Sequence, residues 1–532
     1  MDYRTEIQLL ARAHQYRLHP LALRGVSDHL IALKGDYERQ RSDLRDLFLL
    51  LHKVCGPDRF VDEEKMKSAI ALLSTRAQGT FEEGSPVVLV SLEDVPHVFV
   101  DERSGEIKVS VVKHECNRLT ALHQRYLFAR RRCLRSGLFC RDTARHSLLE
   151  GVCPLIPTIA LEGIDPTETV AVLGMIVKHD KGIHLEDLHG RVSIIFHEAM
   201  RPPMGLVGDG FLVVAKGQWT SGAFVALSID LPPAERREDM LKDIGSDCDL
   251  FGRRPNDVNA ALRREKNSLG SVIIVMSQIH LDQRSTVESL IVFLREMQNR
   301  SEAELMDTTL VMVGEFCSSS IHYDDVLHLP EPFEGCDRYK SLLNTLATMI
   351  AVHAPSVAQY TQVAIVPGQN DVTSLLGLLP QPPIVSAFGK SLQSRLKRVV
   401  FASNPCRLRF FTHEIIVARR DFFRSLREKK RSFTWPQEDA AVSAKPFESI
   451  AKTIVDEAHL APDVMERILW KADEALCLTV LPHLLVLCDS TEQWECSYKG
   501  VHVVNPGSFS LAKTFLWYTP ADGECSLSSV DA

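Results

Sequence analysis

The sequence is short of several things, and each shortage excludes something. It has 13 cysteines in 532 residues, yet no two are spaced as Cys-x-x-Cys. Neither a zinc ribbon nor a disulfide framework is therefore indicated, and buried thiols in a reducing compartment are expected. No apolar run approaches the roughly 18 residues that cross a bilayer, so no membrane partner is expected. Positive charge is in deficit: 61 Lys and Arg against 69 Asp and Glu leave a net charge of -8. That argues against a protein that coats nucleic acid along its whole surface. A secretory apolar core is missing, and the Asp2 and Glu6 that accompany Arg4, Arg12 and Arg17 speak against an organellar presequence. Cytosol or nucleus remains. What is present is ordinary for globular protein, 45% hydrophobic and 24% charged residues, with length for two to four domains.

The chain reads as four segments. Residues 1–75 carry a helical pattern: Leu44, Leu47, Phe48, Leu51 and Val54 recur on one face. Past Gly56-Pro57, Asp62 can cap a helix whose inner face is Met66, Ile70 and Leu73. A small helical bundle is expected there. Residues 76–150 read as a linker and an extended or helical connector, in which 76–90 is a linker running into a strand, with a hairpin turn at Arg103-Ser104-Gly105 and a helix from about Asn117 to Arg135. That helix holds Arg130, Arg131, Arg132 and Arg135, a run expected at a solvated or partner-facing helix end rather than on phosphate. Residues 151–245 contain five short glycine-punctuated strands, beginning at Val170, Gly182, Val192, Phe211 and Ala223. They fit an OB-type barrel. Its few aromatics (Phe196, Phe211, Trp219, Phe224) favour an interaction barrel over one that grips single-stranded DNA.

Residues 246–532 alternate strands and helices. Strands are expected at 272–276, 309–313, 362–366, 407–411, 415–418, 484–487 and 501–504, with helices at 285–297 and 339–353. Polar loops follow the carboxyl ends of these strands, where an α/β sheet places its site. The segment Arg424 to Arg431, running into 433–449, reads as an exposed basic loop.

These loops invite comparison with two-metal phosphoesterases, whose motifs run Asp-x-His, Gly-Asp, Gly-Asn-His-Asp/Glu, a lone His and Gly-His-x-His. Clustered acids and imidazoles are what such chemistry needs, because two dications must be held together to make hydroxide and clamp phosphate. Here the matching positions are Gln278-Ile279-His280, Gly314-Glu315, Gly368-Gln369-Asn370-Asp371 and Cys488-Asp489-Ser490-Thr491, with no convincing His near Val417 to Asp421. Gln278 is neutral, Glu315 is one methylene too long to bridge, and Asn370 cannot titrate. The expected fold is an inactivated calcineurin-like phosphoesterase α/β sandwich with no catalytic residue, no metal and no cofactor. Gln278, His280, Glu315, Gln369, Asn370, Asp371 and Asp489 are then degenerate positions, and His280, His97 and His413-Glu414 satisfied core or loop histidines.

Together the modules and loops resemble the B-subunit family of the replicative DNA polymerases, in its epsilon branch. The resemblance rests on Leu23-Arg24-Gly25, Val172-Leu173-Gly174-Met175-Ile176, Leu185-Glu186-Asp187, Leu281-Asp282-Gln283 and Leu379-Pro380-Gln381-Pro382-Pro383. Lys452-Thr453-Ile454 and His459-Leu460 add to it, and Ser403-Asn404-Pro405-Cys406-Arg407 and Asn505-Pro506-Gly507-Ser508-Phe509 are its most specific runs. It implies a non-catalytic subunit in the nucleus that binds the C-terminal domain of the polymerase epsilon catalytic subunit. It further implies small histone-fold subunits in the same complex and indirect or weak contact with DNA. The N-terminal bundle is similar to an AAA+ lid and would tie the polymerase to the replicative helicase through GINS; no Gly-x-x-x-x-Gly-Lys-Ser/Thr loop accompanies it. Two other readings compete: a metal-dependent phosphodiesterase or nuclease with a rearranged site at His280, Glu315, Asp371 and His413, and an OB-type single-strand DNA-binding protein.

Overall fold

The chain divides into two compact units, residues 1–84 and 85–532. The computed structural model describes residues 7–8, 10–12, 16–32, 44, 47–48, 51, 59–67 and 69–70 of the first unit. It describes 86–530 of the second, apart from 103, 111–115, 142–150, 180–181, 201, 246–247, 256, 320–333, 374–376, 431–432, 437–444 and 465–466.

In the first unit a helix, Pro20–Ala32, follows a two-residue strand, Arg17–Leu18, that pairs in parallel with Phe60–Val61. Leu44, Leu47, Phe48, Leu51 and Met66 are buried in one core with Ile7 and Val26, and the Asp62 carboxylate accepts from the Lys65 N–H at 2.8 Å. Val54 and Leu73 lie outside the described residues.

In the second unit five strands close a barrel: Val170–His179, Gly182–Glu186, Arg191–Phe196, Leu212–Thr220 and Ala223–Asp230. The third and fifth pair in parallel and the first and fourth antiparallel, which is OB topology. Gly217 makes closure possible, since a Cβ there would stand 2.0 Å from the Val225 carbonyl oxygen.

Two six-stranded sheets form most of the rest. One runs Val399–Phe401, Gln362–Val366, Thr308–Val313, Val272–Ser277, Thr514–Thr519, Glu524–Ser529. Its three central parallel strands are wholly buried, as strands covered on both faces must be. Helices Arg284–Gln298, Glu334–His353 and Ser386–Arg395 pack in its apolar layer. The other sheet runs Trp494–Tyr498, Val501–Asn505, Leu484–Cys488, His413–Arg419, Cys406–Phe410, Val87–Val90. Its core is continuous with that of the barrel, bridged by the helix Pro446–Glu457.

The stretch 76–90, read as a linker running into a strand, ends in one: Val87–Val90 is the edge strand of the second sheet, paired with Arg407–Phe410, with Val87, Leu89 and Val90 buried. Two expectations are corrected. Three of the four arginines in the run that ends the helix Arg118–Arg135 are bound within the chain. Arg132 is buried and donates to the Asp456 carbonyl at 2.7 Å, Arg131 pairs with Asp243, and Arg135 with Glu235 at 2.5 Å. The basic segment after Asp421 is a helix, Phe422–Lys430, with Phe422 and Leu426 turned inward. Its charges are mostly engaged: Arg424 with Glu428, Arg427 over the Phe423 ring and Lys429 with Asp463.

Candidate functional site

Gln278, Glu315, Gln369 and Asp371 follow the carboxyl ends of adjacent parallel strands in the first sheet, while Arg419 ends one strand of the second and Asp489 follows another. The space between them is spanned by one side chain. Arg419, 2% exposed, donates from Nη2 and Nε to Glu315 Oε2 at 2.9 and 3.2 Å. Its Nη1 reaches Asp421 Oδ1 at 2.8 Å and the Cys488 carbonyl at 3.1 Å. Burial works against its charge, but the two carboxylates prevail and hold the guanidinium above its ordinary proton affinity. Asp421 is lowered in turn, burial again being outweighed by Arg419.

The other positions face inward onto the backbone. Glu315 Oε1 accepts from the Gln369 N–H at 3.0 Å. Asp371 is fully buried and accepts from the Gly368 and Phe316 N–H groups at 2.8 and 3.0 Å. Burial, with Glu315 beside it, pushes its pKa up to about 7. The close fit requires glycine: a Cβ on Gly314 would lie 1.7 Å from Asp371 Oδ2. Asp489 accepts from Phe423 and Thr491 N–H at 2.7 and 3.1 Å, and burial raises it. Gln278 takes a left-handed backbone (φ 57°) with its Oε1 buried and unpartnered. His280 has its Nδ1 buried without a protein partner, and burial lowers its pKa against the pull of Glu315 and Asp282. Asn370 is exposed.

These residues do not fit a two-metal centre. Such a centre needs convergent carboxylate and imidazole atoms with open lone pairs. Here the oxygens of Glu315, Asp371 and Asp489 answer to a guanidinium or to backbone N–H groups. His280 is the ligand-type residue whose ring nitrogen is left open.

Sequence reasoning missed Arg419. In Val-Ala-Arg-Arg-Asp it looks like an ordinary charged strand end, and its partner Glu315 lies 104 residues away. The signal lay in the specific motifs, which hold it. Asn404 Oδ1 accepts from the Arg419 N–H at 2.9 Å, and its Nδ2 donates to the Arg419 carbonyl at 2.9 Å and to Gln381 Oε1 at 2.7 Å. Gln381 Nε2 donates to the Gly368 carbonyl at 3.0 Å. Asn505 Oδ1 accepts from the Asp489 and Gly507 N–H groups, both at 3.1 Å.

The rearranged grouping of His280, Glu315, Asp371 and His413 is not assembled. His413 begins the strand that Arg419 ends, about 20 Å away at strand rise. There it stacks on His483 at 4.3 Å and bonds Tyr518. His97 is likewise satisfied, by Glu474 at 2.7 Å. Among the described residues the metal-type donors that do converge are His459, Asp473 and Cys477, and Arg125 already donates to His459 Nε2 at 2.7 Å and Asp473 Oδ1 at 2.6 Å. The barrel offers no aromatic platform among its four candidates: Phe211 and Phe224 are fully buried, Trp219 packs on the core, and Phe196 is stacked on Trp435 at 5.1 Å.

Comparison with known proteins adds the following. The family of the DNA polymerase alpha/epsilon B subunit matches residues 273–496, and "DNA polymerase epsilon subunit 2-like, OB-fold domain" matches 116–233. The chain is 26% identical to the DNA polymerase epsilon B subunit of Schizosaccharomyces pombe, over 94% of each. It is 27% identical to the corresponding B subunit of Arabidopsis thaliana, over 68% of this chain and 66% of that one. It is 26% identical to Homo sapiens DNA polymerase epsilon subunit 2 over 64% and 61%. A solved archaeal phosphodiesterase aligns over 48% of this chain and 98% of its own, at 10% identity and a TM-score of 0.24, too low to bear on the chemistry here.

Proposed function

The chain belongs to the B-subunit family of DNA polymerases alpha and epsilon, and we propose from that premise that it is the non-catalytic accessory subunit of a DNA polymerase epsilon. In this reading it scaffolds the C-terminal domain of the catalytic subunit during DNA replication in the nucleus. The observation that carries the non-catalytic part is the Arg419–Glu315 pair, a buried ion pair standing where phosphoester hydrolysis would need hydrated metal. A buried guanidinium held by two carboxylates stiffens strand ends but offers neither a nucleophile nor a leaving-group acid. The barrel and the second sheet of the sandwich share one core, which suits a rigid scaffold.

The first unit, residues 1–84, is in this reading the helical bundle of AAA+ lid type that contacts GINS and the replicative helicase. The small histone-fold subunits are further members of the same assembly, and contact with DNA is indirect or weak. The single-strand-binding alternative is disfavoured by the covered Phe196. The test is affinity purification of the tagged chain from nuclear extract, with mass spectrometry of what accompanies it. A large polymerase at equal stoichiometry is expected, and its absence would remove the reading. The purified chain with added manganese should leave a chromogenic phosphodiester intact.

A further inference from the structure

The mismatch between this strand-end cluster and a metal centre has a specific form. Glu315 follows a strand of the first sheet and the half-buried Asp421 lies two residues past the end of the strand His413–Arg419 in the second, so acids from both layers face one gap. Asp371 and Asp489, both buried, stand behind them. Facing carboxylates of this kind repel, and a low-dielectric interior magnifies the repulsion unless a cation lies between them. The guanidinium lies there, with one edge on Glu315 Oε2 and the other on Asp421 Oδ1 and the Cys488 carbonyl. Its own backbone is gripped by Asn404 on both the N–H and the carbonyl, which fixes the point from which the side chain reaches across.

We propose that Arg419 is the resident cation of this site: a covalently attached substitute for metal that neutralises Glu315 and Asp421 and joins the two sheets at their carboxyl ends. The carboxylates then remain a latent divalent-cation site, closed by the arginine. This guanidinium reaches its carboxylate oxygens at nitrogen-to-oxygen separations of 2.8 to 3.2 Å, longer than the metal–oxygen bonds of Mg²⁺ or Ca²⁺. Truncating it would leave room for a hydrated ion. This charge balance inside the fold is independent of the choice of partner.

The test uses the full chain and two variants, Arg419→Ala and the charge-balanced double variant Arg419→Gln/Glu315→Gln. Thermal unfolding is followed in EDTA and in millimolar Mn²⁺, Mg²⁺ or Ca²⁺. The native chain is expected to unfold at the same temperature in all conditions. Arg419→Ala should unfold several degrees lower in EDTA and recover part of the loss with at least one of the ions. The double variant should be more stable than Arg419→Ala in EDTA and indifferent to metal. If Arg419→Ala yields no folded protein, recovery of folding in the double variant alone supports the proposal. An Arg419→Ala protein that folds but ignores all three ions would overturn it. A double variant no better than the single one would do the same, as would a native chain stabilised by metal.

Discussion

Asn404 grips Arg419 by both of its backbone groups, accepting the N–H and donating to the carbonyl at 2.9 Å each. It thereby fixes where the buried guanidinium of the same residue can reach. Because Asn404 is 1% exposed, nothing replaces these bonds when its amide is removed. Asn404→Ala strands the Arg419 N–H, the Arg419 carbonyl and Gln381 Oε1 in the interior, at a cost of about 3 kcal/mol. A lowered urea midpoint with unchanged slope is the expected record. A midpoint equal to the native one would mean that the clamp contributes nothing.

Gly314 gives a steric prediction of a different size. Its added Cβ would meet Asp371 Oδ2 at 1.7 Å and the Gly368 backbone nitrogen at 2.6 Å, and neither neighbour is a flexible side-chain tip. Gly314→Ala should cost more than about 4 kcal/mol and leave little soluble protein. Gly163→Ala is the control, since its new Cβ meets nothing within 4 Å. Equal yields of the two would show that the strand ends can separate.

How far this was legible in the sequence varied with the range of the forces involved. The strands at 272–277, 308–313, 362–366 and 484–488 were legible because buried parallel strands are runs of Val, Ile and Leu. The OB barrel was legible because glycine breaks separate its strands. The helix Phe422–Lys430 was misread because its charges dominate locally, while its helical signal is only Phe422 and Leu426, four residues apart. Arg132 was misread as solvated because a run of arginines carries no mark of which one faces Asp456, 324 residues on. The same holds for Arg419: the lost metal ligands were visible one by one, but the cation that compensates them exists only through tertiary contact.

The stacked pair His413 and His483 makes stability sensitive to acid. Burial, followed for His413 by the neighbouring His483 and for His483 by Arg237, lowers both to about 3, against about 6.5 in the unfolded chain. The unfolded state therefore binds protons first. Their contribution is complete above pH of about 6.5 and is lost as pH falls toward 3, at up to about 1.4 kcal/mol per pH unit for each ring. Asp371 acts in the opposite sense: raised to about 7, it contributes most at low pH and loses that contribution as pH rises through 7. The informative quantity is thus the gap between native and His483→Gln proteins, a change that keeps an acceptor for the Glu414 N–H. Unfolding free energies measured from pH 7 to 5 should converge or cross as the native chain loses its advantage. Parallel curves would place the protonation elsewhere.

The edge strand Val87–Val90 predicts where the chain can be shortened. It pairs antiparallel with Arg407–Phe410, and Val87, Leu89 and Val90 are at most 4% exposed. Losing three buried aliphatic side chains costs roughly 5–9 kcal/mol. It also uncovers the hydrogen-bonding edge of the next strand, which then templates aggregation. The break between the compact units falls after Gly84, just before this strand. A chain beginning at Ser85 should therefore unfold cooperatively and run as a single species by size-exclusion chromatography. One beginning at Glu93 should unfold far earlier and elute in the void volume. Leu89→Asp in the full-length chain should show the same loss without any truncation, which separates the strand's packing from the effect of a new terminus. If the Glu93 chain were as stable as the Ser85 chain, Val87–Val90 would be an ornament on the sheet, and the sandwich would be complete without it.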